Sequence, residues 1–185
     1  MNVRLVIGIL LVSALALAIA CGGDDDTDED GSAPTNDALD QSGQAGGSLG
    51  EPGPDSPTVS LSSTTIVVGE AGEAVLYVLN FEAPGLGAWT FDISYDANML
   101  TLTNCEPQQE SSVCNPEFDE DTLRIVGATG TGLEGDTEIG RLTFQCDEAG
   151  ESALVLSVQT LADGTIGDPQ LVAAHVEGGS ITCSE

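Results

Sequence analysis

The chain has 185 residues, and its 31 acidic side chains face only three arginines and no lysine, which gives a formal net charge of −28 at pH 7. Nucleic-acid binding is excluded, because the chain has almost no cations to displace the counterions of phosphates. Anionic lipid headgroups would repel it too, so any hold on a membrane must be covalent or hydrophobic. The acidity favours a well-solvated surface over a specific cationic partner.

Residues 1–20 have the pattern of an export signal. Arg4 precedes a 16-residue apolar run, Leu5–Ala20, which is broken only by Gly8 and Ser13. This run is short for a membrane span and typical of the apolar part of a signal peptide.

The cysteine that ends this run points to a lipid anchor. The stretch LAIAC, residues 17–21, resembles a bacterial lipobox, with the small Ala20 directly before Cys21. The resemblance implies that the Cys21 thiol takes a diacylglyceryl group and that cleavage makes this cysteine the new N-terminus. Two or three acyl chains anchor a protein stably where one does not. We therefore predict an extracytoplasmic lipoprotein attached to a bacterial membrane or cell surface. The alternatives are an ordinary signal peptide with an incidental cysteine, or an uncleaved anchor.

Residues 21–57 form the next region, which is rich in Gly, Ser, Pro and Asp and has no aromatic residue. Such a sequence cannot bury enough apolar surface to offset the entropy of ordering. Its like charges repel one another and favour an extended chain. We predict a disordered acidic tether.

One pattern in this tether matches a calcium-binding loop. Asp26, Asp28, Asp30 and Asp37 occupy positions 1, 3, 5 and 12 of the loop template, with Gly31 at position 6. A proline falls inside the spacing and no amphipathic helix flanks it. These aspartates are a weak metal-site candidate, and a solvated linker is the default interpretation.

Residues 58–185 are predicted to be one all-β domain. Short apolar runs alternate here with Gly, Pro, Asn and Asp, and no sustained helical period is present. The alternation is clear in residues 89–96, where Trp89, Phe91, Ile93 and Tyr95 share one face. The spacing of the runs is typical of successive strands in a sandwich or barrel.

Four cysteines lie within this domain. Cys146 and Cys183 continue the apolar faces of their strands, whereas Cys105 has the opposite parity to Leu100 and Leu102, and Cys114 lies in a polar stretch. Of three possible connectivities, Cys105–Cys114 with Cys146–Cys183 fits best. An exported protein can form disulfides. Free thiols are the alternative, and the spacing argues against a metal site.

The sequence offers little for catalysis. The single histidine, His175, lies in an apolar stretch and is best interpreted as a strand residue. Neither a nucleophile-elbow motif nor a phosphate-binding glycine loop is present. We predict a non-enzymatic protein with no cofactor.

The order of motifs in residues 58–184 resembles that of cohesin domains. The stretch GLGAWTFDISYDANMLTLTNC, residues 85–105, is similar to the third-strand signature, which ends in Tyr-Asp-x-Asn-x-Leu. Similar segments are VVGEAGEAVLYVLNFE before it, and GRLTFQC, ESALVLSV and HVEGGSIT after it. The resemblance implies a jelly-roll β-sandwich of about nine strands. It also implies a calcium-loaded dockerin of a secreted enzyme as the partner, and hence a role in polysaccharide breakdown.

The sequence departs from the cohesin pattern at the implied contact strand. Scaffolding cohesins have an Asn-x-Asp there, and this chain has Ala88 and Thr90. We expect a surface-anchored module that captures a secreted protein through the face carrying Thr90, Asp92, Ser94 and Arg124. One alternative is a carbohydrate-binding module acting directly on polysaccharide, which would need exposed aromatic rings. The other is a structural cell-surface lipoprotein.

Overall fold

The structure is a computed structural model that describes residues 50–185. The lipidation candidate Cys21, the signal peptide, most of the tether and the four aspartates of the calcium pattern lie outside these residues. Nine β-strands and no helix make up the described part of the chain. The strands are β1 (Thr58–Leu61), β2 (Thr64–Val67), β3 (Ala71–Ser94), β4 (Leu100–Pro107), β5 (Ser112–Asp119), β6 (Thr122–Cys146), β7 (Gly150–Asp163), β8 (His175–Glu177) and β9 (Gly179–Ser184).

Two long strands, β3 and β6, link the two layers of the sandwich. The second part of β3, residues 86–94, pairs with β7 and with residues 122–128 of β6, while β5 pairs with β6 on the far side. The first part of β3 pairs with β1 and with residues 137–145 of β6, which in turn pairs with β4. Register shifts near Phe81 and Leu86 mark the bend between the layers. The predicted jelly-roll β-sandwich is confirmed.

The core lies between the layers and follows the predicted alternation. Trp89 is 1% exposed, and Phe91 and Ile93 are fully buried. Strict alternation places every second residue of this strand on the opposite face, which is the outer surface of the layer. Among the described residues, no helix is long and apolar enough to cross a membrane.

Both predicted disulfides are present. Cys146 and Cys183 are almost fully buried, as their parity indicated, and their bond joins β6 to the last strand. Cys105 and Cys114 join β4 to β5. Cys105 faces the core, because a bulge between Leu102 and Asn104 resets the alternation of β4. The polar stretch assigned to Cys114 proves to be strand β5.

Candidate docking face

The candidate site is the outer surface of β5, β6 (122–128), β3 (86–94) and β7, which we call the docking face. Three of the predicted contact residues, Thr90, Asp92 and Ser94, lie on β3 with their side chains directed outward and partly exposed. The fourth, Arg124, lies directly opposite Asp92 on β6. The hydroxyl groups of Ser94 and Thr122, the next outward residue of β6, form a hydrogen bond of 2.8 Å. The structure therefore brings all four predicted residues onto one surface.

Asp92 and Arg124 form a two-point ion pair at the centre of this face. Arg124 donates from Nε to Asp92 Oδ1 at 2.6 Å and from Nη2 to Oδ2 at 2.7 Å. The guanidinium carbon also lies 3.5 Å from the centroid of the Phe118 ring, which β5 supplies. Arg124 is thus enclosed by a carboxylate on one side and an aromatic face on the other, a combination that favours arginine over lysine.

This pairing changes what Asp92 can offer a partner. The side chain of Asp92 is only 13% exposed, and both of its oxygens accept hydrogen bonds from Arg124. The same hydrogen bonds raise the pKa of Arg124, an effect that burial partly opposes. Asp92 therefore offers a partner little free negative charge, because Arg124 on the neighbouring strand already pairs with both of its oxygens.

Apolar side chains surround the ion pair, and the sequence analysis missed them. Val113 of β5 pairs directly with Val126 of β6, and these side chains are 67% and 43% exposed. Val155 of β7 pairs with Ser94 and is 56% exposed. The sequence contained a signal for Val126 and Val155, which point away from the core in runs predicted as strands, but none for Val113. An exposed apolar group of this kind marks a contact surface more often than an isolated exposed residue does.

A loop closed by hydrogen bonds to Asp163 borders the Ala88 end of the docking face. Asp163 Oδ1 accepts hydrogen bonds from the backbone N–H groups of Gln170 at 2.9 Å and Thr165 at 3.1 Å. These bonds lower the pKa of Asp163. The loop they close carries Ile166, which is 89% exposed, next to Ala88. The face is therefore apolar at the position where the cohesin pattern has a polar contact residue.

The remaining candidate functional residues do not contribute to the docking face. His175 is an exposed residue of β8, as predicted for a strand residue, and its Nε2 is 3.0 Å from the carbonyl oxygen of Gly53. Trp89 is buried behind the docking face and offers no aromatic platform there. Within residues 50–185, no group of three or more His, Cys, Asp or Glu side chains is placed to hold a metal ion.

The architecture is a β-sandwich in which one sheet carries a partly apolar outer face. No family model and no curated protein matches the sequence. Solved structures do match it, and the fold they share with it is that of cohesin domains, as the sequence resemblance implied.

Three of these structures show the extent of the similarity. The seventh ScaB type I cohesin of Pseudobacteroides cellulosolvens has a TM-score of 0.64 and 18% identity, covering 69% of this chain and 92% of that chain. A type I cohesin–dockerin complex from Clostridium thermocellum has a TM-score of 0.63 and 14% identity, covering 73% and 97%. A non-cellulosomal cohesin from the archaeon Archaeoglobus fulgidus has a TM-score of 0.61 and 16% identity, covering 70% and 92%.

Proposed function

We propose that this protein is a non-catalytic, surface-anchored module that holds a dockerin-bearing secreted protein on its docking face. The observation that carries the proposal is the group of exposed apolar side chains around the Asp92–Arg124 pair. The fold supports it, because solved structures of this fold include complexes of cohesins with dockerins. A fold alone does not define a function, so the argument rests on the chemistry of the face.

The centre of the docking face favours apolar contacts. Val113, Val126 and Val155 offer branched side chains on a flat sheet, and the central ion pair needs no further counter-charge. Buried apolar contacts at the middle of an interface usually supply most of its energy. We therefore expect a partner with an aliphatic surface that packs across β5, β6 and β7.

The rim of the face favours a basic partner. The end of β5 and the turn to β6 carry four exposed carboxylates, from Glu117, Asp119, Glu120 and Asp121. Such a rim attracts lysines or arginines and repels acidic surfaces, including a second copy of this acidic chain. Rim charges mainly affect the association rate, so this contribution should fall as salt rises.

The polar contacts of scaffolding cohesins are replaced here. Ala88 and Thr90 stand where the resembling pattern has Asn and Asp, and Ile166 lies beside Ala88. The partner is therefore a dockerin whose matching surface is apolar rather than one selected by the Asn-x-Asp contacts. Through its partner, the protein would act in polysaccharide breakdown.

The N-terminal sequence supports anchoring by a lipid on Cys21, followed by an acidic tether that holds the domain away from the surface. Replacing Cys21 with alanine should remove the acyl label and move the protein from the membrane to the soluble exported fraction. If parent and variant both stay in the membrane without acyl label, the anchor is not a lipid on this cysteine.

The docking function is tested by titrating the full chain with purified dockerin modules from the secreted proteins of the same organism. We expect one or more modules to bind saturably in calcium and to be released by a chelator, because dockerins fold around calcium. Cellulose and xylan serve as the comparison ligands. Saturable binding to these glycans with no dockerin bound would contradict the proposal.

A further inference from the structure

A concave site lies beside the docking face, at the edge of the sandwich formed by β4 and β5. Among the described strands, β4 and β5 each pair only with β6, so each leaves one edge free. The Cys105–Cys114 disulfide joins these two strands. The space between their edges is a cleft of about 500 Å³. This volume is within the range of small-molecule sites in proteins.

The lining of the cleft combines an apolar floor with separate polar groups. Leu102, Cys105 and Pro116 supply apolar surface. Tyr95, Asn104 and Glu117 supply a phenol, an amide and a carboxylate. A cleft that combines apolar surface with a few placed polar groups can hold a ligand and fix its orientation.

The polar groups of the cleft are available to a ligand. No residue in 50–185 hydrogen-bonds to the Tyr95 hydroxyl or to the side-chain amide of Asn104, whereas the nearby hydroxyls of Thr101 and Thr103 are both paired. The Tyr95 ring is held edge-on against Phe144, with 5.1 Å between centroids. Burial, and to a lesser degree the charge of Asp121, raises the pKa of Tyr95, so its hydroxyl remains a hydrogen-bond donor.

The charges in and near the cleft restrict the kinds of ligand that it can bind. Glu117 lines the cleft, and Asp121 lies close enough to Tyr95 to affect its hydroxyl, so an anionic ligand would be repelled. A metal cation would need several converging carboxylates, and Glu117 is the one carboxylate of the cleft lining. A phenol, an amide and a carboxylate together donate and accept hydrogen bonds, which suits a neutral ligand rich in hydroxyl groups.

We propose that the cleft between β4 and β5 binds a neutral saccharide, with Tyr95 and Asn104 hydrogen-bonding its hydroxyl groups and Leu102 and Pro116 contacting the C–H face of a sugar ring. The cleft adjoins the docking face at β5, because Pro116 and Glu117 of that strand line it, so a glycan bound there would lie next to a protein held on the face. The module would then contact the polysaccharide that its captured partner acts on.

The experiment is a calorimetric titration of the full chain with cellohexaose, xylohexaose and mannohexaose, and with an oligogalacturonate as the anionic comparison. Tyr95→Phe removes only the hydroxyl, and Asn104→Ala removes only the amide. The matched controls are Tyr77→Phe, the other tyrosine of the chain, and Gln159→Ala, which removes an exposed amide on β7 outside the cleft. Thermal melting of each variant confirms that it is folded.

We expect saturable binding of at least one neutral oligosaccharide, weakened about two- to tenfold by each cleft variant, as for the loss of one hydrogen bond, and unchanged by the controls. Binding that the cleft variants leave unchanged would place the sugar elsewhere and overturn the proposal. A lack of binding by all three neutral oligosaccharides, or a preference for the anionic one, would overturn it too. None of these outcomes depends on whether a dockerin binds.

Discussion

Arg124 holds the carboxylate of Asp92 across two neighbouring strands while its other side rests on the ring of Phe118. The three side chains come from β6, β3 and β5, so they fix the relative positions of the strands that form the docking face. The ion pair therefore stabilises the docking face itself, whether or not a partner is bound.

Replacing Asp92 with alanine should lower the melting temperature, because Arg124 then lies on the face without its carboxylate. The Asp92→Ala/Arg124→Ala double variant should be less destabilised than the two single effects added together. Thermal denaturation of the four proteins in a double-mutant cycle measures this coupling. Strictly additive effects would show that the pair does not stabilise the sheet.

Replacing Val126 with aspartate should weaken dockerin binding by at least about tenfold, as expected for a central interface residue. Val176→Asp is the matched control, because Val176 is 46% exposed against 43% for Val126 but lies on β8 in the other layer. The measurement is the dissociation constant of the module identified by titration. Equal effects of the two substitutions would place the partner elsewhere.

Replacing Gly127 with alanine should destabilise the fold by about 1–3 kcal/mol, a typical effect of overpacking. A Cβ at this position would overlap the Trp89 ring and the Ser112 hydroxyl. Gly130→Ala is the control, since a Cβ there meets nothing within 4 Å. Urea unfolding followed by the fluorescence of the single tryptophan measures both effects. If the two variants have the same free energy of unfolding, the close approach of Gly127 to Trp89 does not prevent a larger side chain there.

Removing the Cys146–Cys183 disulfide by double alanine substitution should destabilise the protein more than removing Cys105–Cys114. The bonds close loops with sequence separations of 37 and 9 residues. The chain-entropy relation gives about 4 kcal/mol for the longer loop and about 2.5 kcal/mol for the shorter one. Urea unfolding of the two variants tests this order, and the reverse order would mean that native-state strain outweighs loop entropy.

The β7–β8 loop should lose protection in acid. Backbone hydrogen bonds lower the pKa of Asp163 in the folded protein. Its ionised form therefore stabilises the fold at pH values above 3.8, the ordinary pKa of aspartate. This stabilisation is lost as pH falls through the lower, folded-state pKa. Hydrogen exchange at the Gln170 amide should therefore accelerate with acid beyond its intrinsic pH dependence. Asp163→Asn should remove this dependence, and a variant that retains it would assign the effect to another group.

The alternation of Trp89, Phe91 and Ile93 was enough to predict the core face of β3, and burial parity was enough to pair Cys146 with Cys183. Both inferences use the period of a single strand, which the sequence carries directly. The resemblance in motif order supplied the sandwich topology, which local periodicity cannot supply.

The composition of the docking face was harder to predict. The pairing of Asp92 with Arg124 depends on the register between β3 and β6, which are separated by many residues in the chain. The bulge after Leu102, which turns Cys105 inward, cannot be recognised from the residue types around it. The stretch SVCNPEFD contains a proline and two acids, so it resembled a loop, although pairing with β6 makes it a strand.

The short first strand has a mechanical consequence. All residues before Thr58 join the described domain through β1, which is held by four residue pairs with β3 and three with β8. The docking face includes the second part of β3, and β1 pairs with the first part of this same strand. Tension between a held partner and the N-terminal end of the chain is therefore opposed first by the few residue pairs that hold β1 to β3 and β8. Under load, we expect the hydrogen bonds of β1 to break before the docking face is deformed.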